Sequence, residues 1–303
     1  MTRLDHIIGY KTGIMDSTLI LKQKVDDQSI KTYREAKPFL DESDLFKQLL
    51  SKFELTGLNL LHRLIELSEI PFSYMNESVQ LWRDQLADRT FCGDGFSLSG
   101  KADDLLACYN AMITSVLIKL NYHKTEKIES GIHWILKYQN TERNQENLWK
   151  GKGILKYGGC MKSAPCFIGV VKSMIALSDY KYEQPIKANN SVDHKLNKGL
   201  EYILDHEVYK RKSNNSPVTK DITKLTYPFT YKTNLIEILR LLKRNGLIKD
   251  SRCSAALEAL NKKQKKDGSW YVNRFYLPKG WIEFDKPNES GKWISYEIKK
   301  LLN

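Results

Sequence analysis

LNKKQKKDGSW, Leu260 to Trp270, sets the building unit of this chain. It puts a Gln at the end of an amphipathic segment, then an Asp-Gly turn, then a Trp. LKYQNTERNQENLW, Leu136 to Trp149, ends an earlier segment in the same order. A helix, a terminal Gln, a turn and a Trp, used more than once, predict a repeated helical hairpin. A Gln there can bond the carbonyls and amides left open at a helix end, and the Trp covers the joint between hairpins. The motif is therefore a stability device, not a catalytic set.

Three longer segments align on these ends. GIHWILKYQ (Gly131–Gln139), GLEYILDHE (Gly199–Glu207) and ALEALNKKQ (Ala256–Gln264) each place apolar residues three or four apart. That spacing gives a helix with one buried face. Each follows a segment that is apolar nearly all round: Leu105–Leu120, Cys166–Leu177 and Asn234–Gly246. Alternation of buried and half-buried helices predicts an inner and an outer helical layer. SGKWISYEIKKLLN at the C-terminal end reads as one more inner helix. Residues 1–75 read as an N-terminal helical region, broken at Pro38 and Pro71 and packed on a repeat domain over 76–303.

The 303 residues carry a net charge of +12 with 41% hydrophobic content, enough for a sizeable core. That charge suits an acidic protein partner or an ordinary lysine-rich surface. The basic residues are not interleaved with aromatics as a nucleic-acid groove requires, so nucleic acid is not an expected partner. No apolar run approaches membrane-spanning length, and the first residues lack the apolar centre of a secretory signal; a cytoplasmic location is the expectation. Five cysteines in a chain of this length do not make a disulfide framework.

The QKKDGSW, QNTERNQENLW, ACYNAM (Ala107–Met112) and YGGCMKSAPCF (Tyr157–Phe167) segments resemble the repeats of the α/α-toroid superfamily, which holds squalene and hopene cyclases and protein prenyltransferase β subunits. The likeness covers residues 80–303. It implies an all-α toroid, a partial or complete barrel of helical hairpins with an N-terminal extension. It also implies a central cavity that takes an isoprenoid or other apolar ligand. The family's catalytic motifs do not carry over. KADD at Lys101–Asp104 has Lys where the cyclases' Asp-x-Asp-Asp motif opens, and no Asp-x-Cys zinc pair is present. Whether the chain is an enzyme is left open, and no cofactor is expected.

The expected cavity-lining residues are those at inner-helix starts: Cys108, Tyr109, Asn110, Cys160, Lys162, Cys166, Tyr227, Lys232 and Trp293. Cys160 and Cys166 are also candidate zinc ligands, although C-x5-C departs from the usual structural-zinc spacing. Cys166, expected at a helix N-terminus with Lys162 nearby, reads as either an activated thiol or a core cysteine. Around Thr223–Asn234, the alternatives are ligand contact and a loop held by Pro228 and capped by Thr230 or Thr233. The second reading of the whole chain is a non-catalytic interaction module with an acidic partner.

Overall fold

Segments whose apolar residues recur every three or four positions are helical in the computed structural model, which describes residues 15–51, 54, 56–153, 164–184, 189–273 and 280–303. The described residues contain twelve α-helices and, in place of strands, three isolated bridges. The helices are α1 (Ser17–Asp26), α2 (Tyr33–Glu42), α3 (Asp44–Leu49), α4 (Gly57–Ser68), α5 (Glu77–Thr90) and α6 (Ala107–Lys119). They continue with α7 (Thr125–Tyr138), α8 (Phe167–Glu183), α9 (Asn190–Asp205), α10 (Leu235–Arg244), α11 (Ser254–Asn261) and α12 (Lys292–Leu302). The all-α reading holds.

Burial follows the expected alternation. Eleven of the thirteen α6 residues are buried, whereas α7, which follows it, buries only one stripe. The same contrast separates α8 from α9. Each pair packs together, and the more buried helices also pack on one another in chain order: α4 on α6, α6 on α8, α8 on α10 and α10 on α12. Gly131 and Gly199, at matching repeat positions, explain how close the pairs come. A Cβ at Gly131 would strike the Thr114 hydroxyl, and one at Gly199 would strike Met174. Glycine lets α7 and α9 lie directly on α6 and α8.

The terminal Gln performs the bonding expected of it at one repeat. Gln139 is 1% exposed; its Nε2 donates to Asn140 O (2.7 Å) and its Oε1 accepts from the Ser173 hydroxyl of α8 (3.2 Å). Its backbone carbonyl accepts from Lys195 Nζ of α9 (2.8 Å). Trp270 is buried, and its indole donates to Leu260 O (2.8 Å), closing the last hairpin end.

Two local expectations need correction. Pro38 lies inside α2 and does not break it. The carbonyl it leaves unbonded belongs to Arg34, an exposed residue, and the Thr32–Glu35 capping box anchors the start. The N-cap of α10 is Asn234, whose Oδ1 accepts from Glu237 N–H (3.1 Å); neither Thr230 nor Thr233 fills that role. Asn234 Nδ2 also donates to the carbonyl and hydroxyl of Thr226 (3.0 and 2.9 Å), fixing the preceding loop to the helix.

Candidate functional site

The buried helices turn a common stripe of residues toward one another. On α6 the stripe is Met112, Ser115, Val116 and Lys119; on α8 it is Lys172, Ile175, Asp179 and Glu183; on α10 it is Glu237, Arg240 and Arg244. Steps of three and four keep each set on one helical face. A charge in an otherwise apolar segment marks every stripe.

These charges form an alternating chain. Lys22 of α1 lies 3.5 Å from Glu297 of α12, which lies 3.7 Å from Arg240 of α10. Arg240 pairs at 2.6 Å with Glu69, the residue that ends α4. Lys119 of α6 stands 3.8 Å from Glu69 and 3.8 Å from Asp179 of α8. Asp179 pairs with Arg244 of α10 at 2.5 Å, and Arg244 with Glu183 at 2.8 Å. Four cations and four carboxylates thus alternate through six helices. A separate pair, Lys172 Nζ to Glu237 Oε1 at 2.5 Å, sits beside the chain, and the same ammonium donates to Thr230 O (2.8 Å).

Glu69 is the hub. Its side chain is 2% exposed and accepts a hydrogen bond from the Tyr227 hydroxyl at 2.8 Å. Burial alone would raise its carboxyl; the charges of Arg240, Lys119 and Lys22 outweigh burial and hold it well below the usual carboxylate range. Burial, together with the Glu69 charge, pushes the Tyr227 hydroxyl well above the ordinary tyrosine range, so it stays a donor.

Space remains beside this network. Two small cavities, of about 50 and 40 Å³, share Lys119, Ile175, Phe229 and Glu237 in their walls. Lys119, Arg240 and Arg244 carry the first into a cleft of about 490 Å³, which Ser68, Glu183, Lys243, Glu297, Lys300 and Leu301 also line. The cleft wall therefore holds five cations against two carboxylates, at the C-terminal ends of α6, α8, α10 and α12.

The expected cavity residues part into separate places in the fold. Tyr227 and Trp293 come together, stacked with centroids 5.8 Å apart, and with Phe284 they fill space between helices. Cys108 and Tyr109 meet Tyr231 at the start of α6: the Cys108 Sγ–Tyr231 Oη distance is 4.0 Å, and the two tyrosine rings stack at 5.4 Å. Burial pushes the Cys108 thiol up to about 11, so it is no ready nucleophile. Asn110 faces α7 instead, accepting from Phe96 N–H (2.9 Å) and donating to Gly131 O (3.0 Å); its role is structural. Lys232 pairs with Asp221 at 3.1 Å and is 38% exposed. Cys166 is the partly buried N-cap residue of α8, and Cys160 and Lys162 lie outside the described residues. Among the described residues no cluster of three or more His, Cys, Asp or Glu is placed to hold a metal ion.

Sequence reading did not single out Glu69, Lys119, Asp179, Glu237, Arg240, Arg244 or Glu297. The available signal was a charge on an apolar helix face, Lys172 in CFIGVVKSMIAL and Glu237 and Arg240 in NLIEILRLL. A buried charge is expensive unless paired, so each one implies partners on neighbouring helices.

No protein-family model, curated protein or solved structure matches this chain. Among the described residues, no helix is long and apolar enough to cross a membrane.

Proposed function

We propose that the chain is an α/α toroid that binds a small polar molecule, taken in through the cleft at the C-terminal ends of its inner helices. The inner layer is α1, α4, α6, α8, α10 and α12, and the outer layer is α2, α5, α7, α9 and α11. The ion chain carries this reading. It touches all six inner helices, as a ring of helices around one centre requires. The hairpin repeats that resemble those of squalene cyclases and prenyltransferases point the same way.

The ligand follows from the walls. A cleft of about 490 Å³ is within the usual size of a small-molecule site, and convergent charges at its floor fix orientation. An apolar ligand, the class the resemblance implies, would have to lie against Lys119, Arg240 and Arg244 or displace Tyr227, Phe229 and Trp293. A polar ligand fits the space as it stands.

Native mass spectrometry of the intact chain, purified from cells, tests the proposal beside a Ser68→Trp variant. Ser68 lines both the second small cavity and the cleft, so the indole would fill space in both. The expected result is a co-purifying small-molecule mass on the wild type that is absent from the variant, at equal helical content. A bare mass for both proteins, or equal ligand loading of both, would overturn the proposal.

A further inference from the structure

Two groups bordering the small cavities have hydrogen-bonding capacity that the described residues leave unused. Lys119 is 24% exposed, and among the described residues its ammonium reaches no acceptor closer than the two carboxylates 3.8 Å away. That distance is beyond hydrogen-bonding range, although both attractions remain. Glu237 is 8% exposed; Oε1 is bound to Lys172, whereas Oε2 is buried with no hydrogen-bond partner among the described residues. Leaving a buried carboxylate oxygen unbonded is costly. Among the described residues, one ammonium without a hydrogen-bond acceptor and one carboxylate oxygen without a donor therefore border the same two cavities.

From this we infer that the site takes a compact zwitterion, the amino-carboxylate group of a free amino acid. Its carboxylate lies against Lys119 and its ammonium against Glu237 Oε2. The inference rests on the proposed function, and it names the ligand class. Charge supports it. The wall of the smaller cavity is balanced, Lys119 and Lys172 against Glu69 and Glu237, so a net anion there would leave an excess negative charge beside Glu69, whereas a zwitterion leaves that balance intact. Size supports it too. Cavities of about 50 and 40 Å³ each have room for roughly three or four waters, about the bulk of an amino-acid head group. The ligand's side chain would extend past Arg240 and Arg244 into the wider cleft.

Calorimetric titration of the intact chain with each proteinogenic amino acid in turn tests the assignment, with propionate and ethylammonium as single-charge probes. At least one amino acid is expected to bind, with both probes weaker. Lys119→Met and Glu237→Gln should each weaken that amino acid about 10- to 100-fold, the worth of one charge-assisted hydrogen bond. Because Glu237→Gln strands Lys172, Ile175→Trp serves as a second variant: it fills both cavities, spares every ion pair and should abolish binding. Propionate binding as tightly as the best amino acid, or Glu237→Gln leaving the affinity of a folded protein unchanged, would overturn the assignment. If no amino acid binds while a different small molecule co-purifies and is lost on Ser68→Trp, the zwitterion is wrong and the proposed function stands. If nothing binds and nothing co-purifies, both fall.

Discussion

Replacing Glu69 with Gln removes the central charge of the ion chain and little else. The amide keeps the volume and can still accept from the Tyr227 hydroxyl, now 2.8 Å away. Arg240, 2.6 Å from the carboxylate, loses its nearest partner, and Lys119 loses one of two. Removing one member of a buried pair costs about 3–5 kcal/mol. Arg240 is 37% exposed, so water screens part of that loss and about 3 kcal/mol is the expected value. At roughly 2–4 °C per kcal/mol, the melting temperature should fall by about 6–12 °C. Urea unfolding at pH 7 reads the difference directly, and a cycle with Arg240→Gln should return a coupling of about 1 kcal/mol or more. The pH dependence has a definite sign. The folded-state pKa of Glu69 is depressed, so its contribution is present above the unfolded value of 4.5 and is lost as pH falls below it. The gap between wild type and variant should therefore narrow at pH 3. A loss under about 1 kcal/mol at pH 7, or a gap independent of pH, would refute the hub role.

Other outcomes follow from single contacts. His62 is 4% exposed, and burial lowers its pKa from 6.5 to about 4, so its neutral form is favoured in the fold; stability present above pH 6.5 should decline by up to about 3 kcal/mol as pH falls toward 4, and His62→Phe should flatten that decline in urea titrations. Gly199→Ala drives a methyl into Met174 and should destabilise by about 1–3 kcal/mol, against a change within about 0.5 kcal/mol for an exposed site such as Ser191→Ala. Asn234→Ala removes the α10 cap and two bonds to Thr226; a loss of about 2 kcal/mol in chemical denaturation is expected, and under 0.5 kcal/mol would count against the capping role.

The helices were legible because period and burial go together: α6 reads apolar all round and is buried all round, while GIHWILKYQ reads and packs as one-sided. The Gln139 joint was legible because a terminal Gln has few other uses in a helical hairpin. The candidate site was legible only in part. Reading inner-helix starts found Tyr227 and Trp293, which fill space, and Cys108 and Tyr109, which meet Tyr231. It missed the opposite helix ends, where Lys119, Arg240 and Arg244 converge. Cations near a helix C-terminus are favoured by the dipole alone, so their sequence position carries no sign of a shared cavity. Asn110 shows the converse: a polar residue in an apolar helix, fully used by Phe96 and Gly131. Partners decide between the two cases, and partners come from helices tens of residues apart.

The measurement that tests ligand binding most directly is methyl NMR of the isoleucines in the intact chain, titrated with the amino acid that binds. Ile175 lines both small cavities and Ile65 lines one, whereas Ile132 is buried on α7, outside either wall. Saturable shifts of Ile175 and Ile65 with Ile132 unmoved are expected. Saturable shifts confined to isoleucines away from the cavities would contradict a ligand seated among the inner helices.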